Sequence, residues 1–216
     1  MDAFEAIYTR RSIRYFDSTH QMSDAEVETL LKAAITSPTS FNLQNWRFVV
    51  VKDPTLRQEI RHAALDQAKV TEASLLLVLC GDQQAWAKAP ARYWSHAPKE
   101  VQDTMVALID GFYRDSGHVQ MRGVHMQVSS DRAQVRRDEV MRSCGIAAQS
   151  LMLVAKAVGY DSCAMIGFDA DVVANLINLP NDHVIAMMLT IGKQVRPPHN
   201  RGAQLTLEDV VVIDHF

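Results

Sequence analysis

Cysteine is scarce in this chain: Cys80, Cys144 and Cys163 are its only three among 216 residues. They are odd in number and far apart, with no CxxC pair and no His/Cys ligand spacing. That excludes a disulfide scaffold and gives no support for a zinc site. Long apolar runs are missing as well, so no segment is expected to span a bilayer. No GxGxxG fingerprint occurs, and a Rossmann dinucleotide site is therefore not indicated. Positive charge is not in excess either: the formal net charge is −3, whereas a protein built to hold nucleic acid is usually basic. The opening residues show no basic-then-apolar leader pattern, and a reducing cytoplasm is the expected location. No internal repeat, low-complexity run or linker stands out.

What the chain does have is core material. Hydrophobic residues make up 48% and charged residues 22%, the balance of a globular protein. One domain over residues 1–216 is expected. Ser23 to Glu26 fits a capping box, and Val27, Leu30, Leu31 and Ala34 follow at helical spacing. That helix should stop before Pro38. Trp46–Val51 has the aromatic, β-branched character of a buried strand. Asp53-Pro54 opens a helix to about Ala64. Ser74–Cys80 reads as a second strand, ended by Gly81-Asp82. From about residue 83 to 131 the pattern becomes irregular, with Trp86, Tyr93, Trp94, Phe112 and Tyr113 among polar residues. This stretch is expected to be helical but irregular, either an excursion that covers a site or a plain surface helix pair.

Ser130 or Asp131 should begin a long helix to about Val158, with a small-residue stripe of Cys144, Ala147, Ala148 and Ala155 and a stop at Gly159. After a short loop, Ala164–Asp169 precedes another short helix. His183–Ile191 is a third buried strand, followed by a proline-rich loop from Lys193 to Arg201. The tail ends in a strand-like run, Val210–Ile213, with no mate nearby in sequence. Helices outnumber strands and separate them, which points to a layered α+β fold.

Three arginines and a hydroxyl crowd the segment Arg10-Arg11-Ser12-Ile13-Arg14. A guanidinium donates paired, charge-assisted hydrogen bonds to phosphate, and Ser12 adds another donor. The loop Pro38-Thr39-Ser40-Phe41-Asn42-Leu43-Gln44 offers amides and hydroxyls, as a polar ring edge requires. It is also ordinary turn chemistry. Lys69 precedes the second strand, where a cation can stabilise charge that develops on a reacting ring. Arg201 sits in the late loop with Lys193 and Arg196 nearby. Each of these, taken alone, also fits plain surface charge.

In their order, these segments resemble the nitroreductase family of FMN-dependent oxidoreductases. The matching segments are Arg10–Arg14, Pro38–Phe48, Lys69 before Ala73-Ser74, Gly167-Phe168, and Arg201 before Leu207–Val210. The resemblance implies a mostly antiparallel central sheet flanked by helices, and an intertwined homodimer whose C-terminal extensions are exchanged. It implies that Arg10, Ser12 and Arg201, with Arg11 beside them, hold the FMN phosphate. Arg14 and Lys69 would face the pyrimidine side. Pro38, Thr39, Ser40 and Asn42, with Gln44 alongside, would come from the other subunit. Met165, Ile166 and Gly167 would approach the ring through backbone groups.

NADH or NADPH would be the reductant, and a nitroaromatic or quinone a small-molecule acceptor. No side chain need act as a nucleophile, because the cofactor carries the chemistry. Many members of the family have Pro where this chain has Ala164 and Glu where it has Ile166. They often carry a second basic residue where His199 or Asn200 stands. Nicotinamide preference and substrate choice therefore do not carry over. Two other readings stay open: a flavin-fragmenting or dehalogenating enzyme of the same fold, and a non-enzymatic protein that binds an anion or nucleic acid.

Overall fold

The computed structural model describes residues 1–114, 118–121, 123–127 and 131–216. The chain opens with helices α1 (Ala3–Thr9) and α2 (Asp24–Ala34), then a 3-10 turn at Ser40–Asn42 and strand β1 (Trp46–Val51). Helices α3 (Pro54–Ala63) and α4 (Lys69–Glu72) lead to β2 (Leu75–Asp82). Next come α5 (Ala85–Tyr93), α6 (Lys99–Tyr113) and a hairpin of β3 (His118–Met121) and β4 (Val124–Gln127). The long α7 (Arg132–Ala157), β5 (Asp161–Met165), α8 (Ala170–Leu176), β6 (His183–Gly192) and α9 (Leu207–Val210) complete it.

Four strands form the central sheet in the order β1-β2-β6-β5, every pair antiparallel. Period-two alternation along β2 sends side chains to two different layers. Leu76, Val78 and Cys80 face a core that includes Ile60, Val70 and Val173 from α3, α4 and α8. Leu75, Leu77 and Leu79 face Leu30 and Ala34 of α2 and Ala148, Leu151 and Ala155 of α7. The small residues of α7 let it lie close over the sheet. At Gly81 the approach is so tight that a Cβ would stand 2.0 Å from Val140 Cγ1.

The helix ends follow local chemistry. Ser23 and Glu26 form the full capping box, Asp53 caps α3 with Pro54 behind it, and Gly159 adopts φ +85° just beyond α7. Asp131 caps α7 through the Gln134 amide at 3.0 Å. Ser130, the alternative start, lies outside the described residues.

Four expectations change. The segment before Gly167 is a strand: Asp161–Met165 pairs with β6. Its polar residues hid it, because they lie on an edge strand whose other side meets Ser12. Gly81 and Asp82 do not end the second strand; they extend it, and buried Asp82 is paired with Arg47 at 3.1 Å and Lys88 at 3.2 Å. The excursion is not all helical, since α5 and α6 are followed by the β3–β4 hairpin. The tail is not a strand: Thr206 and Asp209 cap a short helical turn, and residues 211–213 are exposed. Among the described residues no helix is long and apolar enough to cross a membrane.

Candidate functional site

The first group of candidate residues gathers along the free edge of β5. Ile13 is buried, its N–H donates to the Ser162 carbonyl at 3.0 Å, and Ser12 forms a parallel bridge to Ser162. Alternation then turns Ser12 and Arg14 outward. The late loop is sewn to the same segment. Phe16 bridges Gln194, the Val195 N–H donates to the Tyr15 carbonyl at 3.2 Å, and Arg11 Nη2 donates to the His199 carbonyl. Arg201 Nη2 donates to the carbonyls of Tyr8 at 3.0 Å and Arg10 at 3.2 Å.

Between these two segments lies a cavity of about 370 Å³, lined by Ser12, Arg14, Tyr15, Arg196, Pro197, Pro198 and His199. The Arg196 guanidinium lies over the Tyr15 ring, its Cζ 4.7 Å from the centroid. Among the described residues, none of Arg10, Arg11, Arg14, Arg196 and Arg201 has a carboxylate within 4.0 Å. Guanidiniums without a carboxylate partner are what a dianionic phosphate requires. Lys193 is turned away; its ammonium donates to the Gly159 carbonyl at 2.6 Å and lies over the Tyr160 ring.

Further along the same edge, Lys69 Nζ donates to Cys163 Sγ at 3.3 Å, joining the start of α4 to β5. Past the end of β5, Met165 is buried, while Ile166 is 81% exposed. Gly167 is held by Gln67, whose Nε2 donates to its carbonyl at 2.9 Å. The first group therefore shares one edge: Arg10, Arg11, Ser12, Arg14, Lys69, Met165, Ile166, Gly167 and Arg201.

The second group lies elsewhere. Loop 38–44 leads into β1, the opposite outer strand. Its backbone is strained: Phe41, Asn42 and Gln44 have φ of 49°, 56° and 47°, a region costly for residues with a Cβ. Buried Glu139 on α7 accepts from the Ser40 N–H at 3.2 Å and from Ser143 Oγ at 2.9 Å. Tyr113 OH donates to Ser40 Oγ at 2.9 Å, and burial pushes its phenol up to about 12, so it remains a neutral donor at pH 7. Inside the loop, the Gln44 N–H donates to Thr39 Oγ1 at 3.0 Å, and Gln44 Nε2 donates to Asn42 Oδ1 at 3.2 Å. Arg47 ties the Gln44 carbonyl to β1 at 2.9 Å. Pro38 is exposed at the loop's entrance.

The sheet keeps the two groups apart. Ser162 is level with Ile191, whereas Trp46 is level with Gly81 and hence Val184. Three inter-strand spacings and seven residues of strand separate the two corners, roughly 25–30 Å. One chain does not bring them together.

Several residues of the site escaped the sequence. Glu139 and Tyr113 grip the loop from far along the chain, and Tyr15 and Arg196 frame the cavity. Only the clustering of Arg196 with Arg201 hinted at any of them. Near the end of β2, Asp82, Asp182 and His183 also approach one another, with ligand atoms within 4.8 Å. Arg47 and Lys88 already neutralise that cluster.

Comparison with known proteins agrees with this architecture. The sequence profile of the nitroreductase family matches residues 7–193. Protein DrgA of Synechocystis is 48% identical over 194 residues, covering 90% of this chain and 85% of that protein. An oxygen-insensitive NADPH nitroreductase of Helicobacter pylori is 30% identical, covering 86% of this chain and 84% of its own. A nitroreductase candidate from Exiguobacterium sibiricum, crystallised in complex with FMN, superposes with a TM-score of 0.82 at 28% identity, covering 98% of this chain and 97% of that one. An antiparallel sheet between helical layers, with these edge-strand segments, is the nitroreductase fold. This chain belongs to the nitroreductase family.

Proposed function

We propose that the protein is an FMN-dependent NAD(P)H oxidoreductase that reduces electron-poor acceptors such as nitroaromatics or quinones. The observation that carries this reading is the set of guanidiniums without carboxylate partners around the cavity beside β5. Their chemistry fits a mononucleotide phosphate. FMN, when bound, would supply hydride acceptance from the nicotinamide and delivery to the acceptor.

The chain's own residues position and polarise. Arg10, Arg11, Ser12 and Arg201 hold the phosphate. Arg14 and Lys69 stand at the pyrimidine edge, where a fixed cation stabilises the negative charge that gathers during reduction. Cys163 holds Lys69 in place. Backbone groups of Met165, Ile166 and Gly167 line the reacting side, and Gln67 fixes the Gly167 peptide. Reductant and acceptor occupy one site in turn, so the kinetics are ping-pong.

The functional unit is a homodimer in this reading. Pro38, Thr39, Ser40, Asn42 and Gln44 of a second copy complete the site, because the same loop within one chain lies a sheet's diagonal away. Phe4 at 72%, Tyr8 at 74%, Leu207 at 78% and Ile213 at 80% exposure supply apolar surface for that interface and for an exchanged tail. One domain spans residues 1–216, and α5 and α6, the described helices of the stretch from 83 to 131, cover the site. The free thiols Cys80, Cys144 and Cys163 suit a reducing cytoplasm.

A visible spectrum tests the reading. Purified protein should be yellow or take up FMN one per chain. NADH or NADPH without oxygen should bleach it, and a quinone should restore the colour. A colourless protein that takes up no FMN would end the proposal.

A further inference from the structure

Two buried polar side chains on the β1 side of the sheet have no protein partner for one atom each. Asn45 is 2% exposed and Trp86 8%, and neither Asn45 Oδ1 nor Trp86 Nε1 makes a hydrogen bond within the protein. Both residues wall the same small cavity, of about 10 Å³, together with Leu43, Tyr113, Arg136 and Glu139. An acceptor and a donor left alone in the interior are each costly.

The other polar walls are already served. Asp82 accepts from Arg47 at 3.1 Å, Lys88 at 3.2 Å and the Gln84 N–H at 2.8 Å. Glu139 accepts from Ser40, Ser143 and Arg142, and Tyr113 OH donates to Ser40. What remains is one acceptor and one donor. A cation could serve Asn45 Oδ1 but not the Trp86 N–H, and an anion the reverse. Water gives and takes hydrogen bonds alike, and a cavity of this size holds one water and nothing larger.

We propose that a single water molecule occupies this cavity, accepts from Trp86 Nε1, donates to Asn45 Oδ1, and so pins α5 to the root of loop 38–44. Asn45 stands where that loop enters β1, and Trp86 is the second residue of α5. Leu43, Trp86 and Tyr113 already share an apolar cluster, which is indifferent to direction; hydrogen bonds are not. The site lies across the sheet from the cavity beside β5 and holds whether or not flavin binds.

A high-resolution crystal structure of the unmodified protein should show one density peak within about 3.2 Å of both atoms, and a rubidium chloride soak should leave no anomalous peak there. Either side chain turned to a protein partner, a cavity without density, or a rubidium peak would overturn the proposal. Trp86→Phe removes the N–H and keeps a ring, and Asn45→Leu removes the acceptor. Hydrogen exchange of Trp86→Phe should quicken about fivefold or more in both α5 and loop 38–44; quickening confined to α5 would refute the pin. In urea unfolding, the double variant should be about fivefold more stable in equilibrium constant than the two single losses imply, and additive losses would refute the bridge.

Discussion

Replacing Glu139 with alanine should loosen the loop that leads into β1 and weaken flavin binding without touching an arginine. Glu139 is 7% exposed and accepts from the Ser40 N–H and Ser143 Oγ through one oxygen, while Arg142 meets the other at 3.2 Å. A buried hydrogen bond to a charged acceptor contributes about 1.5–3 kcal/mol, and a neutral hydroxyl bond about 1 kcal/mol. The Arg142 pair adds less than about 1 kcal/mol, because that side chain is 62% exposed. The loop also stores strain at Phe41, Asn42 and Gln44, of order 1 kcal/mol or more each. With the anchor gone, the loop can relax instead of leaving Ser40 unpaired, which limits the loss. Glu139→Ala should therefore cost about 2–4 kcal/mol in urea unfolding, and Glu139→Gln, which keeps an acceptor oxygen, about 1 kcal/mol. FMN affinity, followed by flavin fluorescence, should fall about tenfold in Glu139→Ala, equivalent to about 1.4 kcal/mol. Arg142→Ala is the control and should change stability by under about 1 kcal/mol. If Glu139→Ala unfolds within about 0.5 kcal/mol of the parent and binds FMN equally well, the carboxylate does not hold the loop.

Three further outcomes test other parts of the structure. Gly81→Ala should destabilise by about 2–3 kcal/mol through the clash with Val140; adding Val140→Ala should cost less than the separate effects imply, and additive costs would contradict the packing. Arg10→Ala with Arg201→Ala should raise the FMN dissociation constant at least about a hundredfold, by removal of charge-assisted bonds; unchanged occupancy in equilibrium dialysis would disprove phosphate contacts there. Glu26 is held down to about 2, first by Ser23 and then by the Tyr160 hydroxyl. Because its folded value lies below the unfolded one of about 4.3, its stabilisation is present above that pH and is lost as pH falls toward 2. Unfolding midpoints of parent and Glu26→Gln should converge over that window, and parallel pH profiles would disprove the link.

Much of the scaffold could be read from local signals. The Ser23–Glu26 box, the Asp53-Pro54 start, the apolar run of β2 and the small-residue stripe of α7 each carry their own physics within a few residues. What stayed hidden depends on contacts distant in sequence. Asp161-Ser162-Cys163 lacks strand character and becomes a strand only because β6 and Ser12 flank it. Asp82 looks like a turn residue until Arg47 and Lys88 are brought to it. The site divides in the same way. The arginines at positions 10 to 14 stand out by density, whereas the grip of Glu139 on Ser40 spans 99 positions and leaves no local trace.

The diagonal gap between the two corners of the sheet has a genetic corollary. If each catalytic pocket takes one corner from either protomer, a chain crippled at Arg10 and a chain crippled in loop 38–44 can rescue each other. Random pairing would make half the dimers mixed, and each mixed dimer would carry one pocket built wholly from sound parts. Co-expression of two dead alleles would thus restore about a quarter of the pockets, an outcome closed to any enzyme whose active centre lies within a single polypeptide.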